Sequence, residues 1–98
     1  VARKNEYRQT LIGKGASIGA NATIVCGHNI GKYALIGAGC VVTKDIPDYA
    51  LVVGNPSKQI GWVSEYGHRL TFDEKGIGIC PETKQVYELK NDNVKRIE

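Results

Sequence analysis

Among the side chains of this sequence able to do chemistry, His28 stands out by its setting. It fills a slot of a hexapeptide repeat otherwise held by Ala, Cys or Ile, with Thr10 in the matching place three repeats earlier. An imidazole exchanges protons near neutral pH, which makes His28 the candidate general base; a packed or interface histidine fits the same slot. Arg3 and Arg8, with Glu6 and Tyr7 between them, lie in a charged stretch outside the repeat, where a loop is free to contact substrate. Either arginine can hold a carboxylate or a diphosphate through paired hydrogen bonds, and an ordinary charged loop has the same composition. Lys14 and Lys32 occupy equivalent places three repeats apart, a like-charge stack that is mildly unfavourable unless an anion lies between them, and lysines that simply point into water have the same pattern. His68, beside Glu65, Tyr66 and Arg69, reads as structural by default, with contact to a ligand held by a neighbouring subunit as the other reading. A catalytic zinc needs three protein ligands, and the two histidines, far apart in the repeat, do not supply them, so no metal is expected.

A period of six positions these residues. Ile12, Ile18, Ile24, Ile30, Ile36 and Val42 recur at that spacing, with Gly next at Gly13, Gly19, Gly31 and Gly37. Ala16, Ala22, His28, Ala34, Cys40 and Ile46 follow each aliphatic by four. Six fits neither a helix nor a simple alternating strand. It fits short strands joined by bends, three to a coil, so that residues three repeats apart stack at about 4.8 Å. The aliphatic columns then form an interior, and glycine at the bends relieves crowding.

Four segments are expected: a non-repeat lead-in loop over 1–11, coils over 12–54, a short helix over 55–69 and a small antiparallel meander over 70–98. The helix rests on Asn55 as N-cap and Pro56 at the first helical position, with Ile60, Trp62 and Val63 facing the coils and Gly67 as stop. The meander rests on short alternating runs at 77–79, 86–89 and 94–97 separated by turn residues.

The composition, with 42% hydrophobic residues in 98, is that of a small globular domain. A net charge of +3 with mixed signs is too weak a bias to imply a nucleic-acid partner, and none is expected; no apolar run approaches a membrane span. Cys26, Cys40 and Cys80 cannot all pair and form no Cys-x-x-Cys motif, so they read as reduced thiols of a cytoplasmic protein, Cys80 being a packed one. The chain opens without Met inside a charged stretch, which suggests a fragment or a trimmed terminus, and two coils with open ends imply preceding coils or compensating trimer contacts.

The repeat resembles that of the left-handed β-helix, hexapeptide-repeat acyltransferases. Handedness comes from the resemblance alone, because the general preference for right-handed crossovers argues the other way. The runs Arg3–Thr10, Gly19–Gly27 and Val53–Leu70, the last containing Gly-Trp-Val-Ser-Glu-Tyr-Gly-His, are similar to a narrower group. These are the bacterial N-acetyltransferases of UDP-2-acetamido-3-amino-2,3-dideoxy-glucuronate, which serve surface polysaccharide synthesis. In that group an Asn-Pro-Arg-containing segment orients the amine and acetyl group; it would fall before Val1 and is absent here. The resemblance implies an all-β protein, a homotrimer, acetyl-CoA as co-substrate and a UDP-sugar acceptor. Of the outward pairs only Ala20 and Ala38 are small in both coils, which places the pantetheine arm beside them, with Lys58 and then Lys44 as phosphate partners; alanines that only suit the turn and solvated lysines fit the same positions. A sugar amine is already a competent nucleophile, so positioning and oxyanion stabilisation can suffice. The alternatives are a non-catalytic β-helix scaffold and an O-acetyltransferase, which would require a base.

Overall fold

The computed structural model describes residues 10–98. Ile12 bridges Ile30, β1 (Ser17–Ile18) pairs with β3 (Leu35–Ile36), and β2 (Thr23–Ile24) pairs with β4 (Val41–Val42). All three pairings are parallel, and each joins residues three repeats apart, as the period requires. Short strands separated by bends wind the chain into stacked coils with three faces. The stacking tolerates no Cβ at certain bends: one built on Gly31 would collide with the backbone nitrogen of Asp48 in the next coil. Inward aliphatics make the core, with Ile30, Ile36, Val42, Ile46 and Val52 at 5% exposure or less. The first coil is less well covered: Ile12 and Ile18 keep 48% and 42% of their surface exposed.

The second coil, from Ile30 to Ile46, is shorter than the period requires. Ile30 bridges Ile46, where the repeat would place Asp48, and Ile36 pairs with Val52 of β5 (Ala50–Val53), where it would place Gly54. Ile46 therefore continues the Ile12/Ile30 column, whereas the repeat template sets it four positions after an aliphatic, with Cys40. The cause is a tightened bend between Val42 and Ile46, where the Asp45 carboxylate accepts the Asn29 backbone N–H at 2.8 Å. In the coil below, Asn29 Oδ1 accepts the Leu11 N–H at 3.1 Å.

The helix expected over 55–69 does not form. Residues 58–62 are instead β6 (Lys58–Trp62), paired antiparallel with β5 after a turn through Gly54 at φ 92°. The open edge of β5 offers a ladder of unpaired backbone groups, and satisfying it outweighs the local capping signal of Asn55 and Pro56. Ile60 is left outward at 40% exposure, while Val63 is buried and Trp62 packs on both apolar clusters.

Residues 77–96 form a three-stranded antiparallel sheet, β7 (Ile77–Ile79), β8 (Val86–Lys90) and β9 (Asn93–Arg96). Its buried residues, Cys80, Tyr87 and Val94, join Tyr49 and Leu70 in a second cluster. No helix among the described residues is long and apolar enough to cross a membrane.

Candidate functional site

The coils turn at three corners, and the candidate residues divide among them. The second corner carries Ala20 and Ala38, both exposed, with the Gly39 N–H donating to the Ala20 carbonyl at 2.9 Å. The turn from Gly54 to Ser57 continues this corner, since Val41 donates to the Gly54 carbonyl and accepts from Ser57. Lys58 follows directly, paired with Val53 and exposed. Ala20, Ala38 and Lys58 thus share one edge of the stack.

Lys44 does not join them. It sits at the third corner, exposed, with His28 and the exposed Cys26. His28 is half-buried, its Nδ1 3.6 Å from Asp45 Oδ1. A carboxylate on one side of an imidazole leaves the other ring nitrogen to exchange a proton. Thr10, one coil earlier, accepts the Gly27 N–H on its side-chain oxygen at 3.2 Å. Asp45 was not singled out as a site residue from the sequence. The shortened coil that brings it to His28 is invisible to a strict repeat, although its place just before Ile46 matches that of Asn29 before Ile30.

The first corner holds a connected group of aromatic and polar side chains. Tyr33 stacks on Tyr49 at 5.5 Å, and Tyr49 meets Tyr87 edge-on at 5.3 Å. The Tyr33 ring lies over Gly15, leaving no room there for a Cβ. Tyr49 donates its hydroxyl to Glu65 at 2.9 Å, Arg96 reaches the other Glu65 oxygen at 3.2 Å, and the Glu65 N–H donates to the Tyr87 hydroxyl. Burial, then the hydrogen bond and charge of Glu65, push the Tyr49 phenol well above its ordinary value of 10.0. Repeat reasoning missed this cluster because only Tyr33 and Tyr49 lie near the periodic region. His68 pairs with Glu82 at 2.5 Å. Arg3, Glu6, Tyr7 and Arg8 lie outside the described residues. Among the described residues no three His, Cys, Asp or Glu side chains are grouped to hold a metal ion, and the three cysteines are free, Cys40 and Cys80 buried.

No family model matches the chain. It is 51% identical over 75 residues to the dTDP-3-amino-3,6-dideoxy-alpha-D-galactopyranose 3-N-acetyltransferase of Aneurinibacillus thermoaerophilus, over 76% of this chain and 39% of that protein. Among solved structures, a hexapeptide-repeat-containing acetyltransferase of Vibrio cholerae, complexed with acetyl-CoA, superposes with a TM-score of 0.56 at 30% identity. That match covers 58% of this chain and 31% of the other. By sequence and by fold, the chain is similar to these acetyltransferases. PerB of Caulobacter crescentus, in complex with CoA and GDP-perosamine, gives a TM-score of 0.54 at 37% identity, over 55% of this chain and 26% of PerB. The chain therefore spans well under half the length of these relatives.

Proposed function

We propose that the chain belongs to an acetyl-CoA-dependent N-acetyltransferase that acylates an amino group of a nucleotide-linked sugar used for surface polysaccharide. The observation that carries this reading is the 51% identity to a sugar nucleotide 3-N-acetyltransferase over 75 residues. PerB, solved with CoA and GDP-perosamine, supports it from the side of structure. Within it, the acceptor is a UDP-linked 3-amino uronate, the coils wind left-handed, the assembly is a homotrimer, and residues 1–11 carry the acceptor contacts Arg3, Glu6, Tyr7 and Arg8.

The chemistry follows from the corners. The pantetheine arm runs along the edge of Ala20 and Ala38, where the absence of bulk leaves the backbone approachable, and Lys58 at its end meets a phosphate. Lys44 lies at a different corner and serves a phosphate only from a neighbouring subunit. The amine attacks the thioester carbonyl, the C–S bond breaks, and CoA leaves as thiol. His28, with Asp45 beside it, accepts the proton that the nitrogen sheds and passes it to the departing thiolate, so that CoA leaves as the thiol.

The test is release of free thiol from acetyl-CoA with the UDP-linked 3-amino uronate, and with the dTDP-linked 3-amino sugar as second acceptor. Turnover on either supports N-acylation of a nucleotide sugar, and the faster one identifies the nucleotide. His28→Asn is expected to lower kcat by roughly 10²–10⁴. An unchanged kcat would assign catalysis to positioning alone. No thiol release with either acceptor, together with no binding of CoA, would leave a non-catalytic scaffold.

A further inference from the structure

The first corner opens into a cleft of about 380 Å³ between the coils and the C-terminal sheet. Four cationic side chains line it: Lys14 and Lys32 from the coils, Lys95 and Arg96 from β9. Two carboxylates share it, and both are already engaged. Asp48 Oδ1 accepts the Lys32 backbone N–H at 2.7 Å, while Glu65 holds Tyr49 and Arg96. Lys95 lies 4.0 Å from Glu88, at the limit of an exposed ion pair. Lys14 and Lys32 remain. Among the described residues, no carboxylate lies within ion-pair distance of either ammonium group. Their backbones stack directly, since the Tyr33 N–H donates to the Lys14 carbonyl and the Tyr49 N–H to that of Lys32. Two like charges in register repel unless an anion bridges them.

A second cavity of about 300 Å³ adjoins the cleft, and Tyr33 and Glu65 line both. Its walls include Leu35, Gly15, Gly67 and Tyr66, the last 66% exposed. An unburied aromatic side chain beside a basic cleft matches the two halves of a nucleotide, a planar base and charged phosphates.

We infer that this corner binds a nucleoside diphosphate, with the diphosphate across Lys14 and Lys32 and the base against Tyr66. The site lies on a different edge from Ala20, Ala38 and Lys58. It rests on the reading of the chain as a nucleotide-sugar N-acetyltransferase, and the same chemistry is offered by the sugar nucleotide and by the diphosphate of CoA.

The experiment is calorimetric titration of the protein with UDP, CoA and inorganic pyrophosphate, alongside the thiol-release assay. The variants are Lys14→Gln/Lys32→Gln and Tyr66→Ala, with Lys75→Gln, an exposed turn residue outside the cleft, as control. The lysine pair is expected to weaken UDP binding about 10-fold or more, and Lys75→Gln to leave it unchanged. Tyr66→Ala is expected to weaken UDP about 5-fold or more while sparing pyrophosphate, because it removes stacking and no charge. If the lysine pair weakens CoA instead of UDP, the diphosphate held there is that of the acyl donor. Unchanged affinity of the lysine pair for all three ligands, or no binding of any of them by the unaltered protein, overturns the site. Unchanged affinities with intact thiol release overturn the site alone; absence of both thiol release and CoA binding overturns the underlying function as well.

Discussion

The coil stack and the C-terminal sheet hold together in different ways. In the coils, the inward aliphatics stack on their counterparts one coil away through three separate parallel ladders, Ile12–Ile30–Ile46, Ile18–Ile36–Val52 and Ile24–Val42. The C-terminal sheet has its own antiparallel ladder, and it meets the coils through a few specific contacts: Tyr87 against Tyr49, and Glu65 bonded to both Tyr87 and Arg96. A solenoid spreads its stability over nearest-neighbour interfaces, whereas a docked sheet concentrates its attachment in a handful of side chains. Changes in the coils should therefore weaken the whole stack, and changes at the docking contacts should loosen one end.

The largest effect is expected from Ile36→Ala, which hollows the middle of the stack where the side chain is 1% exposed. The cost should be about 2–5 kcal/mol, read as a lower denaturant midpoint. Ile18→Ala makes the same chemical change one coil earlier in the same column, at 42% exposure, and should cost visibly less. Equal costs at the two positions would mean that the first coil is covered as well as the second.

Tyr87→Phe tests the docking contacts. It removes the acceptor of the Glu65 N–H and the donor to Gln85 Oε1 while keeping the ring. Leaving a part-buried donor unpaired should cost about 1–3 kcal/mol. Hydrogen exchange should show the amides of Leu70 and Cys80 losing protection while Gly37 and Gly31 in the coils keep theirs. Uniform loss along the chain would show that the two regions unfold as one unit.

The same contrast explains what the sequence revealed. The columns Ile12/Ile30, Ile18/Ile36 and Ile24/Val42 could be read from period alone, because a repeat makes each coil state the same constraint again. The shortening before Ile46 could not, because it is a single event fixed by Asp45 and its bond to Asn29. The helix at 55–69 failed for a related reason: Asn55 and Pro56 carry a local signal, while the edge of β5 that recruits Lys58–Trp62 exists only once the third coil has formed. At the site, His28 stood out as a break in the repeat, yet its partner Asp45 was hidden behind the shortened coil.

Alkaline pH should separate the regions without mutation. The Tyr49 phenol is raised above its ordinary 10.0 by burial and then by Glu65, and that of Tyr87 is raised chiefly by burial. Folding thus favours the neutral phenols, so their contribution is fully present below about pH 10 and declines as pH rises above it. Tyrosinate absorbance should report ionisation of Tyr49 together with loss of protection in the C-terminal sheet, ahead of the coils. Ionisation of all tyrosines at the ordinary phenol pKa, with the sheet still protected, would contradict the placement of Tyr49 between the regions.

The smallest effect belongs to the ion pair that looks tightest. His68 Nε2 lies 2.5 Å from Glu82 Oε2, yet the two side chains are 43% and 60% exposed. At that exposure water screens the attraction and ordering two side chains offsets much of it, so Glu82→Gln should cost only about 0.2–1 kcal/mol. Behind it, the buried Ser64 oxygen accepts from the Tyr66 and His68 backbones and from the Cys80 thiol. Those bonds hold the turn whether or not Glu82 is charged. The midpoint of Glu82→Gln should therefore move little, and added salt should shrink the difference further. A loss as large as that of Tyr87→Phe would place the main attachment of the C-terminal sheet at His68 and Glu82, and would move the docking centre away from the Tyr49–Glu65–Tyr87 cluster.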